Sequence, residues 1–183
     1  MRRQLPRSLA LAAALLGLLA AGVPSTDVPE RAEAMPDGAK IIRKIKRYQR
    51  ATWHWQRLMS VPRTPNRKRY MRTRDIRYRV HVMHQWRKRA IRAKRRAQNP
   101  PHKAQWHCLQ RYEGRWTDGG DPYWGGLQMD RAFMLSYAPR HLLRRGWADR
   151  WTPLEQMWVA ERAFRAGRGF YPWPHTARIC GLL

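Results

Sequence analysis

Between Lys40 and Lys103 the chain carries 23 lysines and arginines and one acid, Asp75. A stretch with a net charge of +22 repels itself when compacted. It can fold only by gathering its few apolar residues along one side, and it attracts polyanions in any conformation. The flanks differ sharply. Residues 1–39 hold four basic and four acidic residues, while residues 104–183 hold 11 arginines against seven acids and seven of the ten tryptophans. The 183 residues, net charge +26, therefore divide by composition into a leader, a basic middle and one small domain. Two cysteines without a Cys/His cluster at ligand spacing exclude a zinc finger, and neither a metal nor another cofactor is expected. No apolar run reaches the ~18–20 residues that span a bilayer, which excludes a polytopic membrane protein.

The leader reads as an export signal. Arg2, Arg3 and Arg7 precede an unbroken small and apolar run, Leu9 to Ala21, and Ala32-Glu33-Ala34 follows as an A-x-A cleavage pattern. The expected division is a signal peptide over 1–34, a basic linker or attachment segment over 35–103 and a folded domain over 104–183. The alternatives are cleavage near Ala21 or a buried core helix. Export predicts a secreted or cell-wall location. It also exposes Cys108 and Cys180 to oxidising conditions, where a disulfide would staple a domain with a thin core. Two free buried thiols are the other reading of the pair.

Within the basic middle, Ile41, Ile45, Tyr48, Thr52, Trp55 and Met59 recur at spacings of three and four, the pattern of an amphipathic basic helix. Pro62 and Pro65 end it, and Asn99-Pro100-Pro101 closes the segment. From Ile76 the apolar residues fit period 2 and period 3.6 about equally, so strand and helix both stand. Three roles compete for residues 40–103: a solvated, disordered linker, attachment to anionic wall polymers or a membrane surface, and nucleic-acid binding. The last conflicts with export, and no nucleic acid is expected.

In the last eighty residues, Ala104 to Tyr112 has helical composition and Gly114 is placed to end the helix. Glu113 then sits at the negative end of the helix macrodipole, which disfavours an ionised carboxylate and suits a general acid. An ordinary exposed glutamate at a helix end is the alternative. The stretch from Trp116 to Gln128 combines Gly-rich turns with Tyr123, Trp124, Gly125 and Gly126. It suits either stacking against sugar faces or a tight hairpin with core aromatics. Thr152-Pro153-Leu154-Glu155 is a helix start with a capping box, so Glu155 is a cap, and Glu161 falls on that helix as an expected surface residue.

The order Trp106, Cys108, Glu113-Gly114, Trp116, Tyr123-Trp124-Gly125-Gly126-Leu127-Gln128, Glu155-Gln156, Ala160-Glu161, Gly167, Trp173-Pro174 and Cys180 resembles the lysozyme-like domain of resuscitation-promoting factors. These are secreted, transglycosylase-like proteins that cleave peptidoglycan. The resemblance covers about residues 104–183. It implies a mainly α, α+β lysozyme-like fold with a small hairpin and a Cys108–Cys180 disulfide. It also implies Glu113 as the catalytic acid, with Trp116, Tyr123, Trp124 and Gln128 along a glycan groove. The implied substrate is the glycan strand of peptidoglycan, cut between N-acetylmuramic acid and N-acetylglucosamine by a monomeric enzyme. Hydrolysis would need a second carboxylate, for which Asp118 and Asp121 are the near candidates; otherwise the sugar's own hydroxyl closes an anhydro ring. The rival functions are a non-catalytic wall-binding module and a basic, polyanion-binding secreted protein.

Overall fold

Asp37 accepts a hydrogen bond from Ala39 N and opens α1, Gly38–Leu58. Asp75 does the same for Tyr78 N and opens α3, Ile76–Ala97. Both acids thus sit at the positive ends of helices that otherwise carry only cations. The computed structural model describes residues 37–183, so the expected signal peptide lies outside the described residues. From Asp37 to Leu183 the chain forms one compact, mainly helical unit.

The segment from Ile76 is helix throughout. What decides against a strand is the apolar spacing further along, where Trp86, Ala90, Ala93 and Ala97 are buried at intervals of four, three and four. Ile41, Ile45, Gln49 and Thr52 form the matching buried stripe of α1. Residues 40–103 are therefore two long helices rather than a solvated linker. Gly38, at the start of α1, lies beside Ile76 and Arg79 at the start of α3, whereas Leu58 and Ala97 meet at the other end. The two helices run parallel. Parallel helices need a return path, and residues 59–75, with the short α2 (Arg69–Arg72), supply it. Polar groups of α1 hold that path in place: Trp53 Nε1 donates to Thr64 O at 2.9 Å and Gln49 Nε2 to Asn66 Oδ1 at 2.8 Å. Trp53 and Trp86 pack edge to face at the centre, 5.9 Å between centroids.

After Pro100-Pro101 come α4 (Lys103–Glu113), a two-residue antiparallel hairpin of β1 (Tyr123–Trp124) and β2 (Met129–Asp130), α5 (Arg131–Tyr137) and α6 (Arg140–Leu143). Helix α7 (Pro153–Ala163) then runs into a short π-helical turn, and α8 (Pro174–Ile179) closes the fold. Tryptophans 106, 151 and 173 and aliphatic residues from α4 to α8 make one core. The Cys108–Cys180 disulfide joins α4 to the end of α8, with the Cα atoms 6.1 Å apart. Thr152 and Glu155 form the expected capping box at the start of α7. Gly167, with φ of 88°, interrupts the π-helical turn beyond it.

Glu161 corrects the sequence expectation, because it is 1% exposed rather than on the surface. Its position three and four residues after Trp158 and Met157 turns it to the apolar face of α7. There its carboxylate is satisfied by Trp106 Nε1 at 2.8 Å, by His102 N at 2.8 Å and by the His102 ring at 3.2 Å. The same helix binds the basic pair. Trp158 Nε1 donates to Ala97 O, 2.7 Å away, in the last turn of α3. Arg162 donates to Leu58 O at 2.8 Å and to the Ser60 hydroxyl, and Arg165 to Met59 O at 3.2 Å. The negative end of the α1 macrodipole therefore meets two guanidinium groups, while the last turn of α3 meets the Trp158 indole. Burial, and then the Arg165 charge, hold Arg162 down at about 10. Among the described residues no helix is long and apolar enough to cross a membrane.

Three outcomes follow from these contacts. Replacing Cys108 and Cys180 by Ser opens a loop with a sequence separation of 72. It should cost about 4 kcal/mol in chemical denaturation by the chain-entropy relation. For the Glu155 carboxyl, burial works to raise its pKa, but the Arg145 hydrogen bond at 2.5 Å and the Thr152 donors outweigh it and leave it below its usual value. Burial, followed by the charges of Arg57 and Arg162, holds His141 below its usual value as well. The unfolded chain binds more protons at both sites, so stability falls with pH, from about 6.5 downward for His141 and from about 4.3 downward for Glu155. In a series of Tm against pH, His141→Gln should flatten the upper limb and Glu155→Gln the lower one.

Candidate active site

Helix α4 ends at Glu113 because Gly114 leaves the helical path in extended conformation (φ 168°), its N–H closing the last turn on Gln110 O at 3.1 Å. A side chain at position 114 would collide with two groups: its Cβ would lie 2.9 Å from Gln128 Nε2 and 3.1 Å from Asp118 Oδ2. The glycine thus lets an Asp118–Gln128 pair close directly onto the backbone beside Glu113. Within that pair Gln128 Nε2 donates to Asp118 Oδ2 at 2.9 Å and to Gly125 O at 3.0 Å. Gln128 takes a left-handed backbone conformation, φ 44°, to do so.

Glu113 is half-buried and is gripped from α8, where the Thr176 hydroxyl donates to Glu113 Oε1 at 2.5 Å. Thr176 itself is buried, and the disulfide four residues later, at the C-cap of α8, holds its helix against α4. One carboxylate oxygen is therefore engaged by the protein.

The sugar-stacking candidates separate. Trp116 lies across Gly126 and faces His107 edge-on at 5.9 Å, half-buried against the domain. Tyr123 is 49% exposed on β1. Trp124, the next residue and so directed to the other side of the strand, leans on Trp147 with centroids 5.7 Å apart. A groove of about 580 Å³ runs past Trp124 and Trp147 between Asp121 and Arg131. Gln128 and Asp118 thus adjoin Glu113 through Gly114, while Trp124 and Asp121 line the groove beside Trp147.

The glycine pair is required by the protein's own interior. Gly125 has φ 74° and stands on the Gln156 amide, where a Cβ would come within 2.8 Å of Cδ and within 2.9 Å of Ala148 Cβ. At Gly126 a Cβ would meet the Trp116 ring at 2.8 Å. Gln156 is fully buried: its oxygen accepts from Gly126 N at 2.9 Å, and its nitrogen donates to Trp116 O at 2.7 Å and Ala148 O at 2.8 Å. Sequence reading missed both Gln156 and Thr176. Gln156 adjoins the capping glutamate without a pattern that separates a buried amide from an exposed one. For Thr176 the partner lies 63 residues away, which no local signal reports.

Gly125→Ala should lower stability by more than ~1 kcal/mol, because the left-handed backbone and the Gln156 amide both resist a side chain. Gly120→Ala, whose nearest neighbour would be Asp118 Oδ1 at 3.7 Å, should be close to neutral in the same denaturation measurement. Comparison with known protein families, with curated proteins and with solved structures gives no match.

Proposed function

We propose that the chain is a secreted enzyme that cleaves the glycan strand of peptidoglycan between N-acetylmuramic acid and N-acetylglucosamine, with Glu113 as general acid and base on a lysozyme-like domain. One observation carries this reading: Glu113 ends α4 with Oε1 bound by Thr176 and with the Asp118–Gln128 pair packed against the next residue. The resemblance of residues 104–183 to resuscitation-promoting factors supports the same assignment from an independent direction. With Oε1 engaged as acceptor, the transferable proton belongs on Oε2. That oxygen would protonate the glycosidic oxygen and then, as carboxylate, take a proton back.

The second half of the reaction has two routes. Asp118, beside Gly114 and held by Gln128, is the second carboxylate for hydrolysis. In the lytic route the sugar's own hydroxyl attacks, its proton passes to Glu113, and an anhydro ring forms. Trp116 and Tyr123 offer ring faces to the sugar. The basic helix pair attaches the enzyme to the anionic cell envelope.

Digestion of purified peptidoglycan by the oxidised chain, with products read by mass spectrometry, tests the proposal. Glu113→Gln should reduce cleavage by about 100-fold or more, the scale of a lost general acid, with the far-UV circular dichroism unchanged. Anhydro-muropeptides from the wild type identify the lytic route. Reducing-end products identify hydrolysis, and then Asp118→Asn should be inactive too. A folded, oxidised wild type that binds peptidoglycan without cutting it would overturn the enzyme in favour of a wall-binding module.

A further inference from the structure

Between α1 and α3 runs an open groove of about 720 Å³. Lys40, Arg43, Lys44, Arg47 and Arg50 line it from α1 at spacings of three, one, three and three, a continuous cationic stripe along one helix face. The stripe covers three helical turns, about 15 Å. Its other wall is different in kind. Val80 and Met83 of α3 border the groove beside His84, and Ile41 forms part of its base, so an apolar strip edged by one imidazole lies alongside the cations.

Nothing within the helix pair neutralises the stripe. The two acids between residues 37 and 103 are Asp37 and Asp75, and both cap helix starts. Among the described residues, every ion pair belongs to the chain beyond residue 100. A groove with cations on one wall and mainly hydrocarbon, from Val80 and Met83, on the other matches a ligand that is itself anionic at one end and apolar at the other. A polyol-phosphate polymer or a nucleic acid would satisfy the arginines and leave Val80 and Met83 facing a hydrophilic chain. An anionic phospholipid uses both walls.

We infer that the α1–α3 groove is a binding site for anionic phospholipid, which docks the protein on a membrane surface through the basic pair. The inference deepens the envelope-attachment part of the proposed function and does not depend on Glu113. Glu113→Gln protein should bind lipid as the wild type does, so the two fail separately.

The test is vesicle co-sedimentation of the full chain on phosphatidylglycerol–phosphatidylcholine vesicles and on pure phosphatidylcholine, read as the ratio of the two partition coefficients. The apolar run from Leu9 to Ala21 is common to all variants, and so cancels between them. Arg43→Ala/Arg47→Ala/Arg50→Ala should reduce the ratio by about 100-fold, the worth of three charges at an anionic surface. Arg144→Ala/Arg168→Ala/Arg178→Ala removes the same charge from exposed sites outside the pair and should reduce it far less. Equal losses in the two triple variants would overturn the groove as the site. Val80→Ser/Met83→Ser, checked for an unchanged helical spectrum, should weaken vesicle binding while leaving affinity for soluble polyphosphate intact. If vesicle binding survives that substitution, the occupant is a plain polyanion and the lipid assignment is wrong. Raised salt should weaken the wild-type ratio through screening.

Discussion

Helix α7 has to satisfy two buried polar side chains and a half-buried arginine, and the rest of the fold is arranged to do it. A buried amide or carboxylate without partners costs more than the net gain of an ordinary hydrogen bond, so each of these groups needs partners from elsewhere in the fold. Glu161 is met by the start of α4, through Trp106 and His102. Gln156 is met by the glycine loop, Trp116 and the turn at Ala148. Arg162 is met by the end of α1, although its Nη1 remains buried without a partner among the described residues. One helix thereby indexes the candidate active site and the basic helix pair to the same frame.

That arrangement changes what the basic segment is. Sequence composition presents a stretch of 23 cations as something detachable from the domain that follows. The parallel pair instead points both helix C-termini at α7, where Trp158, Arg162 and Arg165 take up carbonyls that would otherwise be orphaned. Leu58, Met59, Ala97 and Trp158 bury one another at the joint. A fragment beginning at residue 104 would expose Trp158 and strand two arginines, so the domain and its basic neighbour are best treated as one folding unit. Orientation follows too: the cationic groove lies toward the helix N-termini, at the end of the pair away from that joint.

The candidate site is built from short and long connections in different proportions. Glu113, Gly114, Asp118 and Gln128 fall within 16 residues of sequence, and the glycine that lets them meet is visible as a helix stop. Thr176 comes from the far end of the chain and is held there by the disulfide. Gly125 and Gly126 suggest room for a ligand when met as a dipeptide. In the structure the room is taken by Gln156 and Trp116, so their freedom serves packing.

What the sequence determined alone is whatever its local spacing encodes. The helix of Ile41 and Ile45, the cap at Thr152, the stop at Gly114 and the isolation of Glu113 at a helix end all depend on residues within a turn or two of one another. The period of Ile76 to Val82 was ambiguous because seven residues match both templates, and only the buried stripe from Trp86 to Ala97 separates them. Glu161 is legible in principle, since its spacing from Met157 and Trp158 places it on the apolar face, although its charge favours the surface. The tertiary structure alone decided which partners answer the buried polar groups. It set the parallel direction of the two basic helices, and the clamp of Arg162 and Arg165 on α1 and the Thr176–Glu113 bond join residues between 63 and 106 positions apart. Hydrogen bonds across such distances are selected by the closing of the whole core, and a local pattern carries no record of them.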